Sequence, residues 1–403
     1  MKGWISLAVA CACGIAGAQQ AQIIARLRPD VNAALVAAKH HLVLADYTEK
    51  APFALFNVPA GALPDDIQAD LMRDRQVMWA EDNAEVVSPE GQGGTKGSTM
   101  PAIGGRSDLY AVNANILGQI NFSQGLAQAP GRTVKIAILD TGLSPQQWYL
   151  WSNVVGGMNF IERGRRPLDV PRGTNSNHNQ EVDEGVGHGT MIAGLVDQIS
   201  PQAKLLIARI ADSDGNATAW TVTQGLAFAV VNGAEVANLS MGSTEAIPAL
   251  SDVMDWCEEN RLLVVAGIGN DDTDRALYPA RITKVVCVSG LDPVNVKADF
   301  SNWDGHCDSA APATGIISQW WDGHMGTWNG TSFSSPMIAA AIADCLRRTP
   351  GPQPLGAIRD AVMNSGRNIN NLNPQFEDEL GTLLDIQRLN QFIVGTGRPA
   401  RKR

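Results

Sequence analysis

Positive charge is scarce in this chain of 403 residues: 31 lysines and arginines stand against 41 aspartates and glutamates, a formal net charge of −10. No nucleic-acid partner is expected, because phosphates demand a basic face and only the terminal "RPARKR" is basic. Cysteine is scarce as well. Cys11 and Cys13 lie in the first residues, and Cys257, Cys287, Cys307 and Cys345 form no CxxC pair, which argues against a zinc site. In an exported chain these four allow up to two disulfides, with three full pairings, and buried free thiols are the alternative. No apolar run is long enough for an ordinary transmembrane helix. Charged residues make up 18% and hydrophobic ones 44%, which excludes disorder and suits one large α/β domain plus something smaller.

The chain opens "MKGWISLAVACACGIAGAQQ", a lysine, a short apolar run and then Ala16-Gly17-Ala18. That is the pattern of an export signal over residues 1–18, and it implies a secreted or periplasmic protein. Cys11 after Ala8-Val9-Ala10 offers a lipid-anchored alternative, although the usual leucine three positions earlier is missing. Residues 19–88 read as a small α+β unit of ferredoxin-like type. Its strands are "QIIARL", "FALFNV" and "QVMWAEDNAEVV", and its helices "DVNAALVAAKHH" and "PDDIQADLMRD". "SPEGQGGTKGSTMPAIGG" then supplies Gly, Ser, Thr and Pro in the composition of a flexible linker over residues 89–105.

From residue 106 to 395, ahead of a basic tail at 396–403, short continuous apolar runs alternate with helical ones. "VKIAILD", "AKLLIARI", "AEVANLS", "RLLVVAGIGN" and "KVVCVSG" read as strands buried on both faces; "GTMIAGLVDQI", "AWTVTQGLAFAVVNG" and "IPALSDVMDWCEEN" have helical periodicity. The alternation predicts a doubly wound, mostly parallel sheet with helices on both faces, whose ligands sit at the carboxyl ends of the strands. Polar exceptions fall there. Asp140 ends one apolar strand and Asn270 another, while His188 in "GVGHGTMIAG" and Ser332 in "GTSFSSP" each stand where a helix begins.

A serine hydroxyl is a poor nucleophile unless a base takes its proton, and neutral histidine is the base suited to that pH. A buried carboxylate fixes the imidazole's tautomer. A tetrahedral oxyanion needs donors already in place, which the Asn270 amide and the Ser332 backbone N–H at a helix start would supply. Asp140, His188, Ser332 and Asn270 fill every role. Each alone has a structural explanation, as turn residue, helix start or N-cap, but the four together in this order leave those explanations little room.

The stretches "VKIAILDTG", "GHGTMIAG", "ANLSMG", "VVAGIGND", "YPARITKVVCVSG" and "NGTSFSSPMIAAAIA" resemble the catalytic domain of the subtilisin-like serine proteases, from about Gln119 to Gln387. The order Asp, His, Ser is the subtilisin order. The resemblance implies that Asp140 orients, His188 acts as base and then acid, Ser332 attacks and Asn270 stabilises the oxyanion. It also implies that Ser240, Met241 and Gly242 hold the substrate extended, with Gly215, Asn216 and Ala217 as the facing edge strand. Gly267, Ile268 and Gly269 match the wall of the pocket for the residue before the cut bond. A peptide sandwiched in this way is bound as an added β-strand.

The unit at 19–88 resembles the inhibitory propeptide of these enzymes, so the layout is that of a self-processing zymogen, expected as a monomer. A retained accessory domain is the alternative for that unit. No cofactor or metal is required by the pattern. The family's usual calcium loop after the histidine helix is not matched in "LVDQISPQAKLLIARI", so no calcium is assigned. Asp183 and Glu184 belong to a polar loop expected to be solvated, with a weak cation site as the alternative. Asp271 to Asp274, "DDTD", lie beside the expected pocket and would favour a basic residue there. A catalytically silent peptide-binding protein of the same fold is the competing function. A sedolisin-type acid peptidase, which uses a carboxylate base, disagrees with "GHGT" and "GIGN".

Overall fold

The structure, a computed structural model, describes residues 20–88, 97–100, 106–179 and 181–395. The expected signal segment, Cys11 and Cys13, residues 89–96 and 101–105 of the expected linker, and the basic tail lie outside the described residues.

The N-terminal unit runs β1 (Gln22–Leu27), α1 (Ala33–Lys39), β2 (Val43–Tyr47), β3 (Phe53–Asn57), α2 (Pro64–Arg73), β4 (Val77–Asp82). Its sheet has the order β2-β3-β1-β4 with every pairing antiparallel. Successive strand side chains point to opposite faces. Ile23, Ala25 and Leu27 therefore pack with Val36, Ala37 and Leu71 under the two helices. Ile24 turns the other way and joins Phe53, Leu55 and Trp79 in an apolar cluster shared with Trp220, Met254 and Trp256 of the larger unit. Two expectations need correcting. "VLADY" is a strand, missed because it lies at the sheet edge and alternates between exposed and half-buried residues. "QVMWAEDNAEVV" is not one strand: it breaks at Asn83-Ala84, and β5 (Glu85–Val87) leaves the N-terminal sheet.

Next come β6 (Ser98–Met100) and three short helices, α3 (Arg106–Val112), α4 (Ala114–Gln119) and α5 (Gln124–Ala127). The large sheet then begins with β7 (Lys135–Asp140), β8 (Val154–Asn159), α6 (His188–Ile199) and β9 (Lys204–Arg209). It continues through β10 (Asn216–Thr218), α7 (Ala219–Val231), β11 (Val236–Leu239), α8 (Pro248–Glu259) and β12 (Leu263–Gly267). The last elements are β13 (Val286–Leu291), β14 (Ser309–Pro312), β15 (Ile316–Gln319), β16 (Met325–Trp328), α9 (Thr331–Arg348), α10 (Leu355–Ser365), β17 (Thr382–Leu383) and α11 (Ile386–Gly395).

Eight strands pair in the order β17-β14-β13-β12-β11-β7-β9-β8, and all seven pairings are parallel. This is the doubly wound sheet the alternation predicts, with β8, β14 and β17 in addition. Residues of α6, α9, α10 and α11 share an apolar cluster on one face, and those of α7 and α8 share another on the opposite face. Ala339, Ala340, Ala341 and Ala343 are completely buried, so α9 passes close to the sheet without bulk between. Ser98–Met100, inside the expected linker, pairs antiparallel with β16, so that segment is not irregular throughout. Cys257, Cys287, Cys307 and Cys345 are buried free thiols; none of the three possible disulfide pairings is formed. Among the described residues no helix is long and apolar enough to cross a membrane.

Candidate active site

Asp140 is the last residue of β7, at the carboxyl edge of the sheet, and both it and His188, the first residue of α6, are completely buried. Asp140 Oδ1 lies 2.8 Å from His188 Nδ1 and accepts the Thr141 N–H at 2.8 Å. The fit depends on glycine. A Cβ on Gly189 would fall 2.5 Å from the Gly142 carbonyl and 3.1 Å from Asp140 Oδ1, which no side chain tolerates. The imidazole stands edge-on to Trp328, ring centroids 5.5 Å apart, and against Phe333 at 5.3 Å. Phe333 directly follows Ser332, so the start of α9 is packed against the histidine that starts α6.

Ser332 is the second residue of α9, whose N-cap is Gly330, so it stands near the positive end of the helix dipole. Its Oγ lies 3.4 Å from the Ser240 carbonyl. Asn270 sits past the end of β12, not within the strand. Its carboxamide oxygen accepts the Thr331 N–H and the Thr331 hydroxyl, each at 2.9 Å. That fixes the amide's orientation and turns the NH₂ end away from Thr331.

Behind the Asp–His pair lies a residue that sequence reasoning missed. Asp169, completely buried in the loop after β8, accepts the Gly187 N–H (3.0 Å), the Thr190 N–H (3.1 Å) and the Thr190 hydroxyl (2.6 Å). It thereby satisfies orphan donors at the start of α6, where Gly187, with φ of 96°, makes no side-chain cap. Burial pushes its pKa above the ordinary carboxylate value, opposed by those hydrogen bonds and by the nearby Arg209. The buried Arg209 donates in turn to the carbonyls of Thr141 (2.8 Å) and Leu168. Nothing in the spacing of "RPLDVPRG" signals this role.

The expected peptide-binding strands face one another, and the space between them is filled by the chain itself. β5 pairs antiparallel with β10, Val87 opposite Asn216 and Val86 opposite Ala217, and the Ser88 N–H reaches the Gly215 carbonyl at 2.9 Å. On its other side Val87 exchanges two hydrogen bonds with Gly242, 3.0 and 2.8 Å. Glu85–Ser88 is thus a central strand between Gly215–Thr218 and Ser240–Gly242. Val86 is completely buried, in one cluster with Ala217, Trp220 and Met241. Gly267, Ile268 and Gly269 lie beside this cleft. A Cβ on Gly267 would fall 2.8 Å from the Thr331 carbonyl, so that wall backs directly onto the start of α9.

A parallel doubly wound sheet that brings Asp140, His188, Ser332 and Asn270 to one edge has the design of a subtilisin-like serine protease. The family model "Subtilase family" matches residues 131–381, and the chain belongs to that family. Subtilisin BL of Lederbergia lenta is 29% identical over 252 residues, 60% of this chain and 87% of its own. The alkaline protease of Alkalihalobacillus alcalophilus is 28% identical over 319 residues, 77% of this chain and 74% of its own. Among solved structures, fervidolysin from Fervidobacterium pennivorans, a keratinolytic enzyme related to subtilisin, superimposes with a TM-score of 0.72 at 18% identity. That likeness concerns the fold; it covers 93% of this chain, which spans 61% of the fervidolysin chain.

Proposed function

We propose that the chain is an exported endopeptidase, made as a precursor whose N-terminal unit closes its own cleft. The observation that carries this is the strand Glu85–Ser88, held from both sides as an extended substrate would be, one flank being the Ser240–Gly242 segment whose Ser240 contacts Ser332. In the reaction, His188 Nε2 takes the Ser332 proton as Oγ bonds to the scissile carbonyl carbon. The carbonyl oxygen, now an oxyanion, is held by the Asn270 NH₂ and the Ser332 N–H. Asp140 keeps Nδ1 protonated and stabilises the imidazolium. The C–N bond then breaks, and the leaving amine takes the proton from His188. Water repeats the sequence on the acyl-enzyme, releasing the acid and restoring the serine. Protein substrates and its own N-terminal unit are the partners of this reading, with the enzyme a monomer outside the cytoplasm.

The test is labelling with a fluorophosphonate, wild type against Ser332→Ala. Labelling of the wild type alone is expected, with the variant accumulating as a form that still carries residues 19–88. A folded, processed wild type that takes no label would sink the protease reading in favour of a silent peptide binder. Ordinary self-processing of purified Ser332→Ala would sink the zymogen reading.

A further inference from the structure

The expected pocket beside Asn270 lies between two backbone walls, Ser240–Gly242 and Gly267–Gly269, and Leu277 is a side chain that meets both. A Cβ on Gly242 would fall 2.8 Å from Leu277 Cβ and 3.0 Å from Cδ1. A Cβ on Gly269 would fall 2.4 Å from the Asn302 amide nitrogen, 2.7 Å from Leu277 Cγ and 3.0 Å from Cδ1. The isobutyl group therefore occupies space that glycine leaves on both walls, sharing it at Gly269 with the Asn302 amide, and Leu277 is buried. Its backbone is tied to the same walls: the Leu277 N–H donates to the Ile268 carbonyl at 2.9 Å, and Tyr278 exchanges two hydrogen bonds with Ser243. A shift of the Leu277 backbone would break these links between the walls.

The carboxylates that would attract a basic residue are not at this floor. Asp271, Asp272 and Asp274 are exposed, and Asp272 is bonded at 2.6 Å to the ammonium of Lys297. The groups that stand between the walls are the Leu277 hydrocarbon and the neutral Asn302 amide instead. We infer that Leu277 is the specificity-determining residue, and that it restricts the residue before the cut bond to small side chains such as alanine or serine. This rests on the endopeptidase reading above and names its substrate class. An aromatic or long basic side chain would have to displace a buried leucine held between two glycines, so overpacking rejects it.

The test uses enzyme obtained from the full chain and fluorogenic peptides that differ only before the cut bond: alanine, serine, phenylalanine or arginine. The expected kcat/KM for alanine and serine exceeds that for phenylalanine and arginine by about tenfold or more. Leu277→Gly and Leu277→Ala should raise the phenylalanine-to-alanine ratio by a similar factor. Wild type that cuts after phenylalanine or arginine as well as after alanine overturns the inference, as does an unchanged ratio in a variant that melts like wild type. If both variants misfold, the wild-type profile decides alone. Fluorophosphonate labelling run alongside separates the two readings. Labelled enzyme without the small-residue preference sinks only this inference, whereas unlabelled, inactive enzyme sinks the protease reading with it.

Discussion

The carbonyl of Ser332 accepts a hydrogen bond from the hydroxyl of Ser240, 2.9 Å away. In an uninterrupted helix that carbonyl would accept the N–H of residue 336, which is proline and has none. The Ser240 hydroxyl also receives the Asn238 amide at 2.8 Å and meets the Ser335 hydroxyl at 3.0 Å, so its one donor and two acceptor sites are all used. The mount of Ser332 is thus braced against the strand that binds the chain's own segment. Ser240→Ala leaves the carbonyl without this donor, a cost of about 1–3 kcal/mol. A lower melting temperature is expected together with a reduced kcat; calorimetry and kinetics on the same preparation check both.

Asn270 offers a cleaner separation of structure from chemistry. Asn270→Asp keeps the oxygen that Thr331 binds from N–H and hydroxyl, but replaces the NH₂ donor with a negative oxygen. A fall in kcat of about 10²–10³ with little change in KM is expected, as for loss of one oxyanion donor. A variant with near-wild-type kcat would remove Asn270 from the oxyanion site.

Asp169 acts on His188 through the start of α6. Asp169→Asn turns an acceptor of three donors into a group that also presents N–H to Gly187 and Thr190, and it removes a negative charge close to Asp140 and Arg209. A loss of about tenfold or more in kcat/KM is expected. The acid limb of the pH profile should move to lower pH, because the imidazolium of His188 loses part of its stabilisation. A loss of stability with an unmoved limb would reduce Asp169 to a fold element.

The N-terminal unit carries its own pH dependence. His40 bridges Asp70 (2.6 Å) and Asp74 (2.8 Å). Burial lowers its pKa, but the hydrogen bonds to Asp74 and Asp70, with their charges, outweigh that and leave it above 6.5. A raised folded-state pKa means stability that is fully present below the unfolded value and is lost as pH rises through the folded one. In full-length Ser332→Ala, hydrogen exchange in α1 and α2 should therefore accelerate as pH is raised from below 6.5 through the raised folded-state value, after correction for intrinsic exchange. His40→Ala should flatten that dependence.

Asp46 ties the two units together. Its carboxylate accepts the Trp220 indole N–H at 2.9 Å and the Gln224 amide at 2.8 Å, and pairs with Arg163. Asp46→Ala should loosen the N-terminal unit and, on the zymogen reading, speed its loss after processing, by an amount set by charged hydrogen bonds of about 1.5–3 kcal/mol. The time course of N-terminal fragment release, followed by mass spectrometry in wild type and variant, measures it.

Most of the candidate site was legible because its residues sit in short local motifs. "ILDTG", "GHGTM" and "NGTSFSSP" each join a candidate catalytic side chain to the glycines and hydroxyls that shape its turn, so one short window carries both the proposed role and its context. Thr141 and Thr331, adjacent to motif residues, were within reach of the same reading. Asp169 was not, since a buried carboxylate that serves a helix from a distant loop has no periodicity and no spacing rule. Edge strands β2 and β8 escaped for the opposite reason, as half-exposed strands lack a continuous apolar run.

By itself the sequence determined the sheet's parallel, doubly wound character and which four residues share its carboxyl edge, because burial on both faces and helix-start chemistry leave marks on neighbouring residues. Only the tertiary structure decided that "AEVV" leaves its own sheet to become the middle strand of the cleft, that Leu277 rather than an aspartate lies between the pocket walls, and that the four described cysteines are buried free thiols. These outcomes depend on which distant backbone groups find each other and on what volume remains between them, and neither quantity is written in any single stretch of residues.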